Sequence, residues 1–168
     1  MRAPGLWGIV GVTALLANAI YRLLPRTLEL FDYQLDALQL ATLITWVAFM
    51  GYSEGYRAFH QMFSPRVVAR ARALDASPRP LFAIAAPLFC MGLFHATRRR
   101  KIVAWSITLG VTGLVVLVRQ LPQPWRGIID AGVVIGLGFG VISIVYYTVL
   151  AFRGTEMTIA PDLPDPTD

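Results

Sequence analysis

Five long stretches of this chain contain no aspartate, glutamate, lysine or arginine. They are residues 3–21, 37–53, 80–97, 102–118 and 131–152. A helix needs about 20 consecutive apolar residues to cross the hydrocarbon core of a bilayer, with a range of roughly 17 to 25. Charged residues make up only 15% of the chain, against about 25% in a soluble domain. The sequence therefore predicts an all-α protein, a polytopic integral membrane helix bundle.

The third stretch, residues 80–97, is the least regular, because Pro80 and Pro87 interrupt it. Basic residues flank it on both sides: Arg57, Arg66, Arg70, Arg72 and Arg79 before it, and Arg98, Arg99, Arg100 and Lys101 after it. A full crossing would place these groups on opposite sides, against the tendency of Lys and Arg to collect on the cytoplasmic side. We therefore predict four spans plus a re-entrant or interfacial segment, with five spans as the alternative.

The first stretch also resembles a signal peptide, since Arg2 precedes it and Ala17-Asn18-Ala19 matches a cleavage site. Its apolar core is longer than the roughly 7 to 15 residues typical of such peptides. We expect it to stay as the first span.

Under the four-span prediction both termini face the cytoplasm, and we expect the bacterial cytoplasmic (inner) membrane as the location.

The predicted organisation is one membrane domain, residues 1–153, followed by a disordered acidic tail, residues 154–168. Residues 57–101 form a basic cytoplasmic or interfacial subregion within the domain. Ser64-Pro65 is a typical helix start, because serine caps free amides and proline suits the first helical position. A helix over residues 65–75 would carry Arg66 and Arg70 along the edge of its apolar face, an arrangement suited to an anionic membrane surface.

The densest polar group, residues 51–60, lies where the second span is expected to leave the membrane. Glu54 and Arg57 are three residues apart and are expected to pair on one helical face. Tyr52, Tyr56 and His60 follow one another at intervals of four. We predict a lipid-binding or anion-binding site formed by Glu54, Arg57, His60, Arg66 and Arg70. The alternative is a structural ion pair at a helix end beside interfacial aromatic residues.

Gly132, Gly136 and Gly140 recur every four residues in the last stretch, which permits close approach of another helix. Packing inside the monomer and contact with a second copy or another protein are both consistent with this pattern. The other expected partners are membrane lipids, anionic ones in particular. Nucleic acid is not expected, because the basic residues flank apolar spans and no binding motif accompanies them.

Catalytic signatures such as G-x-S-x-G, H-E-x-x-H and the Walker loop are absent from the sequence. We expect no metal and no cofactor; a haem held by His60 and His95 is disfavoured because both lie near the ends of apolar stretches. Cys90 is expected to be a buried apolar residue.

The leading hypothesis is an accessory or scaffold membrane protein that contacts anionic lipid or a protein partner through its basic face. The alternative is a small membrane enzyme or carrier for a lipidic or anionic substrate.

Overall fold

The computed structural model describes residues 1–76, 80–154 and 159–163, and every regular element in these ranges is helical. The all-α class is therefore confirmed. The helices are α1 (Ala3–Leu28), α2 (Ala37–Met50), α3 (Ser64–Ala76), α4 (Pro80–Ile84), α5 (Ala86–Met91), α6 (Arg98–Val118) and α7 (Trp125–Phe152), with a 3₁₀ turn at Glu29–Asp32 and a π-helical segment at Gly51–Phe63.

Three of the described helices are long and apolar enough to cross a bilayer. They are Ala3–Asp32, Arg98–Val118 and Trp125–Phe152. The first continues beyond the charge-free stretch and takes in Arg22 and Arg26 near its end, where long basic side chains can extend their charged groups toward water. These helices support the prediction of a membrane-embedded protein.

Helix α2, the π-helical segment and α3 form one uninterrupted helix over residues 37–76. It begins at a capping box, in which Asp36 accepts the Gln39 N–H and the Gln39 side chain accepts the Asp36 N–H. Gly51 and Ser64, at the two junctions, both have right-handed helical dihedral angles. The helix predicted over residues 65–75 is therefore present, but it does not start at Ser64, because the chain is already helical there. Pro65 is tolerated inside the helix because it follows the π-helical segment directly, where the hydrogen-bond register changes.

The long helix runs parallel to α7, and α1 runs antiparallel to both. Trp46 Nε1 donates to the Ile129 carbonyl at one end, and Arg72 donates to the Ala151 carbonyl at the other. Gly127, near the start of α7, lies against Arg26 and Leu30. We call the end that contains the start of α1 and the end of α7 the basic end, and the other the opposite end.

Helix α3 is buried on nearly all sides rather than exposed at a membrane surface. Val67, Val68 and Ala71 have no exposed surface, and Arg70 is only 1% exposed. The small side chains of Val67, Val68 and Ala71 let α1, α5 and α7 pack closely around α3. The expected amphipathic surface helix is therefore wrong, because the face that carries Arg70 is covered by residues far away in the sequence.

Asp75, in the last turn of α3, caps the start of α1. Its Oδ2 accepts the Arg2 N–H at 2.7 Å and its Oδ1 accepts the Gly5 N–H at 2.8 Å. The first N–H groups of a helix have no partner within the helix and carry partial positive charge, so a carboxylate stabilises them. This contact fixes the start of α1 to the end of α3.

The proline-broken segment, residues 80–97, has both of its ends at the basic end of the bundle. In its middle, Pro87 contacts Gly11 of α1, and Cys90 and Ala86 lie against Gly8. Gly92, in the left-handed conformation with φ 81°, ends α5, and the chain then returns to Arg70. The segment thus packs beside the first half of α1 before residues 94 and 95 contact Arg70.

Helix α6 stands apart from the other long helices. Ala104 and Val118 are its only buried residues. A Cβ atom added at Gly110 or Gly113 would meet no atom of the described residues within 4 Å. Its start is held by a hydrogen bond from Trp105 Nε1 to the Leu93 carbonyl. Most of its apolar surface is therefore left for lipid or a partner.

We predict that Asp75→Ala lowers the free energy of unfolding by about 1–3 kcal/mol, because two N–H groups at the start of α1 lose a charged acceptor. Reversible unfolding of the purified protein in detergent measures this change. Asp32→Ala, at an exposed position of the 3₁₀ turn, is the control and should stay within about 0.5 kcal/mol of the parent. Equal effects of the two substitutions would contradict the capping role.

Candidate functional site

The π-helical segment is held against α7 by glycines on both helices. Gly55 faces the Phe139 side chain, and Gly140 faces the Phe59 ring. A Cβ atom added at Gly136 would lie 3.1 Å from the Glu54 Cβ. The glycine face of α7 is therefore occupied by the chain's own long helix, in agreement with packing inside the monomer. A π-helix longer than a single turn is rare, and π-helical geometry occurs frequently at functional sites.

A column of stacked rings runs along this contact. The ring centroids of Tyr52 and Tyr56 are 6.2 Å apart, and those of Tyr56 and His60 are 5.7 Å apart. The column continues to α7, where Tyr147 lies 5.4 Å and Tyr146 5.8 Å from His60. The predicted stripe of Tyr52, Tyr56 and His60 is confirmed.

His60 also makes a polar contact with α7. Its Nδ1 lies 3.1 Å from the Ser143 Oγ, and Ser143 is 3% exposed. The hydroxyl rotates to donate or accept according to the histidine tautomer. His60 therefore already has a polar partner inside the bundle.

Glu54 and Arg57 are both exposed, and the expected ion pair between them is wrong. Within the described part of the chain, neither side chain has an ion-pair or hydrogen-bond partner. The i→i+5 bonding of a π-helix widens each turn, so residues three apart no longer face each other. The i,i+3 rule on which the pairing depended holds for an α-helix.

These charges lie level with the middle of α7, not at the end of a span. Glu54 is beside Gly136, and the neighbouring His60 is beside Ser143; both α7 residues are well inside Trp125–Phe152. We call the exposed part of the π-helical segment that carries Glu54 and Arg57, which point in different directions, the polar face. It is the one prominent group of exposed charges in the described residues at this level of the bundle.

Arg70 lies elsewhere and is fully engaged within the protein. Its Nε donates to the Phe89 carbonyl at 2.6 Å, and its two terminal nitrogens donate to the carbonyls of Pro161, Phe94 and His95 at 2.8–3.1 Å. The guanidinium carbon also lies 4.3 Å from the centre of the Phe89 ring. Burial lowers the pKa of Arg70 to about 10, so the group remains charged near neutral pH.

Arg66 binds the C-terminal segment. Its Nε lies 3.1 Å from Asp162 Oδ2, and one terminal nitrogen donates to the Met62 carbonyl. Of the tail predicted to be disordered, the structure describes residues 159–163, and these contact Arg66 and Arg70; residues 155–158 and 164–168 lie outside the described residues. The five predicted site residues therefore fall into two separate regions, and their binding of a ligand stays a prediction.

Sequence reasoning missed the partners that lie far away in the chain. Asp162, Ser143 and Tyr147 contact Arg66 and His60 across more than eighty residues. No local spacing signals such contacts.

No group of three or more His, Cys, Asp or Glu in the described residues could hold a metal ion. His95 stacks on Phe82 and Phe89, away from His60. Cys90 is 1% exposed, as expected for a buried apolar residue.

The helices and the apolar surfaces together define an all-α protein of the membrane-embedded class. Comparison with protein-family models, with curated proteins and with solved structures found no match.

We predict that Glu54→Ala and Arg57→Ala have additive effects on the free energy of unfolding, within about 0.5 kcal/mol, because the side chains do not interact. A double-mutant cycle measured in detergent tests this expectation. A coupling energy of about 1 kcal/mol or more would show that the two charges pair in solution after all.

Proposed function

We propose that the chain crosses the membrane four times, through α1, residues 37–63, α6 and α7, with residues 80–97 re-entrant. The contacts of Pro87 with α1 and the return of the chain to Arg70 support this arrangement. So does the charge distribution. The basic end carries Arg2, Arg66, Arg70, Arg72, Arg98, Arg99, Arg100, Lys101 and Arg153 beside Asp75 and Asp162, whereas the opposite end carries Arg22, Arg26, Arg119 and Arg126 beside Glu29, Asp32, Asp36 and Asp130. The basic end then faces the cytoplasm, and a bacterial inner membrane is our proposed location.

Cysteines introduced at Ser77 and at Arg99, in a background with Cys90→Ala, should react with a membrane-impermeant thiol reagent from the same side. A cysteine at Gln120 is the matched control and should react from the other side. If the first two positions react from opposite sides, the segment 80–97 crosses the membrane and the four-span proposal fails.

We propose, further, that the protein is an accessory component of a membrane assembly. The observation that carries this proposal is the polar face, where Glu54 and Arg57 are exposed halfway along the bundle. A charged side chain at the centre of a bilayer costs about 2.5–3.5 kcal/mol on insertion scales. Charged groups at that depth almost always pair or line a polar cavity. The polar face therefore requires a polar occupant.

The proposed occupant is a transmembrane helix of another protein, with a basic group opposite Glu54 and an acidic group opposite Arg57. Charge complementarity supports this choice, because Glu54 and Arg57 are exposed in different directions and each needs its own group of opposite charge. Helix α6 supports it too, since Gly110 and Gly113 leave open surface on a helix that packs little within its own chain. Small residues of this kind allow close approach of a second helix.

The rival proposal is an enzyme or carrier that acts on a lipidic or anionic substrate at Glu54, Arg57 and His60. Such a site needs these groups to converge on one substrate. His60 is engaged with Ser143 and with tyrosine rings, and Glu54 and Arg57 are not paired. The arrangement of the described residues therefore favours the accessory role.

Glu54→Gln and Arg57→Gln should each weaken association with the partner by about tenfold, because one interhelical charged contact of about 1–2 kcal/mol is lost. The protein is extracted from its native membrane in mild detergent, and native mass spectrometry records the subunits of the complex. Arg119→Gln, an exposed change at the opposite end, is the control and should keep the partner.

Three results would overturn the accessory role. The first is a monomer with no bound polypeptide, and the second is an assembly that contains this chain alone. The third is a partner retained equally by the parent, Glu54→Gln and Arg57→Gln.

A further inference from the structure

An apolar groove of about 300 Å³ lies between α1 and α7 in the half of the bundle nearer the basic end. Its walls include Leu6, Ile9 and Val10 from α1 and Val145, Val149 and Phe152 from α7. Two threonines also line it, but their hydroxyls donate to carbonyls of their own helices. The groove therefore presents a hydrocarbon surface along its length.

An open cavity of about 330 Å³, with charged residues among those that line it, lies near the basic end of this groove. Arg2, Arg72, Asp75 and Ala151 are among the residues that line it. The two spaces are neighbours on both helices: Ala151 lines the cavity and Phe152 the groove, and the Leu6 N–H donates to the Arg2 carbonyl. The two spaces therefore lie within about one helical turn of each other along α1 and α7.

The cavity has a net positive charge from its side chains, since two arginines face one aspartate. Both carboxylate oxygens of Asp75 are engaged by the N–H groups at the start of α1. The Arg72 side chain donates to the Ala151 carbonyl, and the Arg2 side chain donates to the Asp75 carbonyl. A guanidinium has five N–H donors, and arginine binds phosphate with several parallel N–H groups. The cavity therefore suits an anionic phosphate group.

We propose that the cavity and the groove together bind one anionic phospholipid. Its phosphate contacts Arg2 and Arg72, and one acyl chain lies between α1 and α7. The cavity is at the basic end, where the headgroups of the cytoplasmic leaflet would lie in the proposed topology. The site is remote from Glu54 and Arg57, so it does not depend on the proposed partner.

The test uses the full chain, stripped of lipid in detergent, and native mass spectrometry. The probes are phosphatidylglycerol, phosphatidylcholine and inorganic phosphate. We expect one bound phosphatidylglycerol per chain, at least tenfold weaker binding of phosphatidylcholine, and no stable adduct of phosphate alone.

Two kinds of variant separate the parts of the site. Arg72→Gln should weaken phosphatidylglycerol binding about tenfold, whereas Arg99→Gln, at the same end but outside the cavity, should leave it unchanged. Val149→Trp fills the groove and should also reduce lipid binding. If Arg72→Gln fails to fold, Arg2→Gln takes its place, because Arg2 is exposed.

The proposal is overturned if the two lipids bind equally, or if Arg99→Gln weakens binding as much as the variants at Arg2 or Arg72. It is also overturned if phosphate binds as tightly as the lipid and Val149→Trp has no effect, since the site would then bind a free anion. If the Glu54 and Arg57 variants lose the protein partner but still bind lipid, the partner site and the lipid site are independent of each other.

Discussion

The guanidinium of Arg70 holds the basic end of this protein together through hydrogen bonds to backbone carbonyls. Residues 93–97 are irregular and follow α5 almost directly, so several backbone carbonyls there have no partner in a helix. Backbone carbonyls shielded from water need another hydrogen-bond donor. Arg70 donates to the carbonyls of Phe94 and His95 in this segment, to that of Phe89 in the last turn of α5, and to that of Pro161 in the C-terminal segment. One buried cation therefore binds α3, the returning chain and the C-terminal segment together.

The apolar pattern of the sequence was sufficient to predict the long helices. Residues 3–21, 102–118 and 131–152 all lie within helices of sufficient length, because the need to bury backbone N–H and C=O groups leaves few alternatives in lipid. The contacts between helices were harder to predict from the sequence. Arg70 was predicted at the edge of a surface helix from its local spacing, but its position is determined by carbonyls 19 to 91 residues away.

The π-helical segment explains the other errors. The pairing of Glu54 with Arg57 and the helix start at Ser64 both assumed ordinary α-helical geometry. Close packing of Gly55 and Phe59 on α7 accompanies a different geometry, which turns Glu54 away from Arg57. The stripe of Tyr52, Tyr56 and His60 was nevertheless predicted correctly, because residues four apart remain neighbours in both kinds of helix.

The contact of Asp75 with the start of α1 has a consequence for threading. Two positions joined by direct hydrogen bonds lie on the same face of a bilayer, so the chain between Gly5 and Asp75 crosses it an even number of times or not at all. A single reversed helix in this part would separate the two positions by the bilayer thickness, about 30 Å. The Asp75 carboxylate thus requires an even number of crossings between Gly5 and Asp75. In the folded protein, α1 cannot invert unless the long helix over residues 37–76 inverts with it.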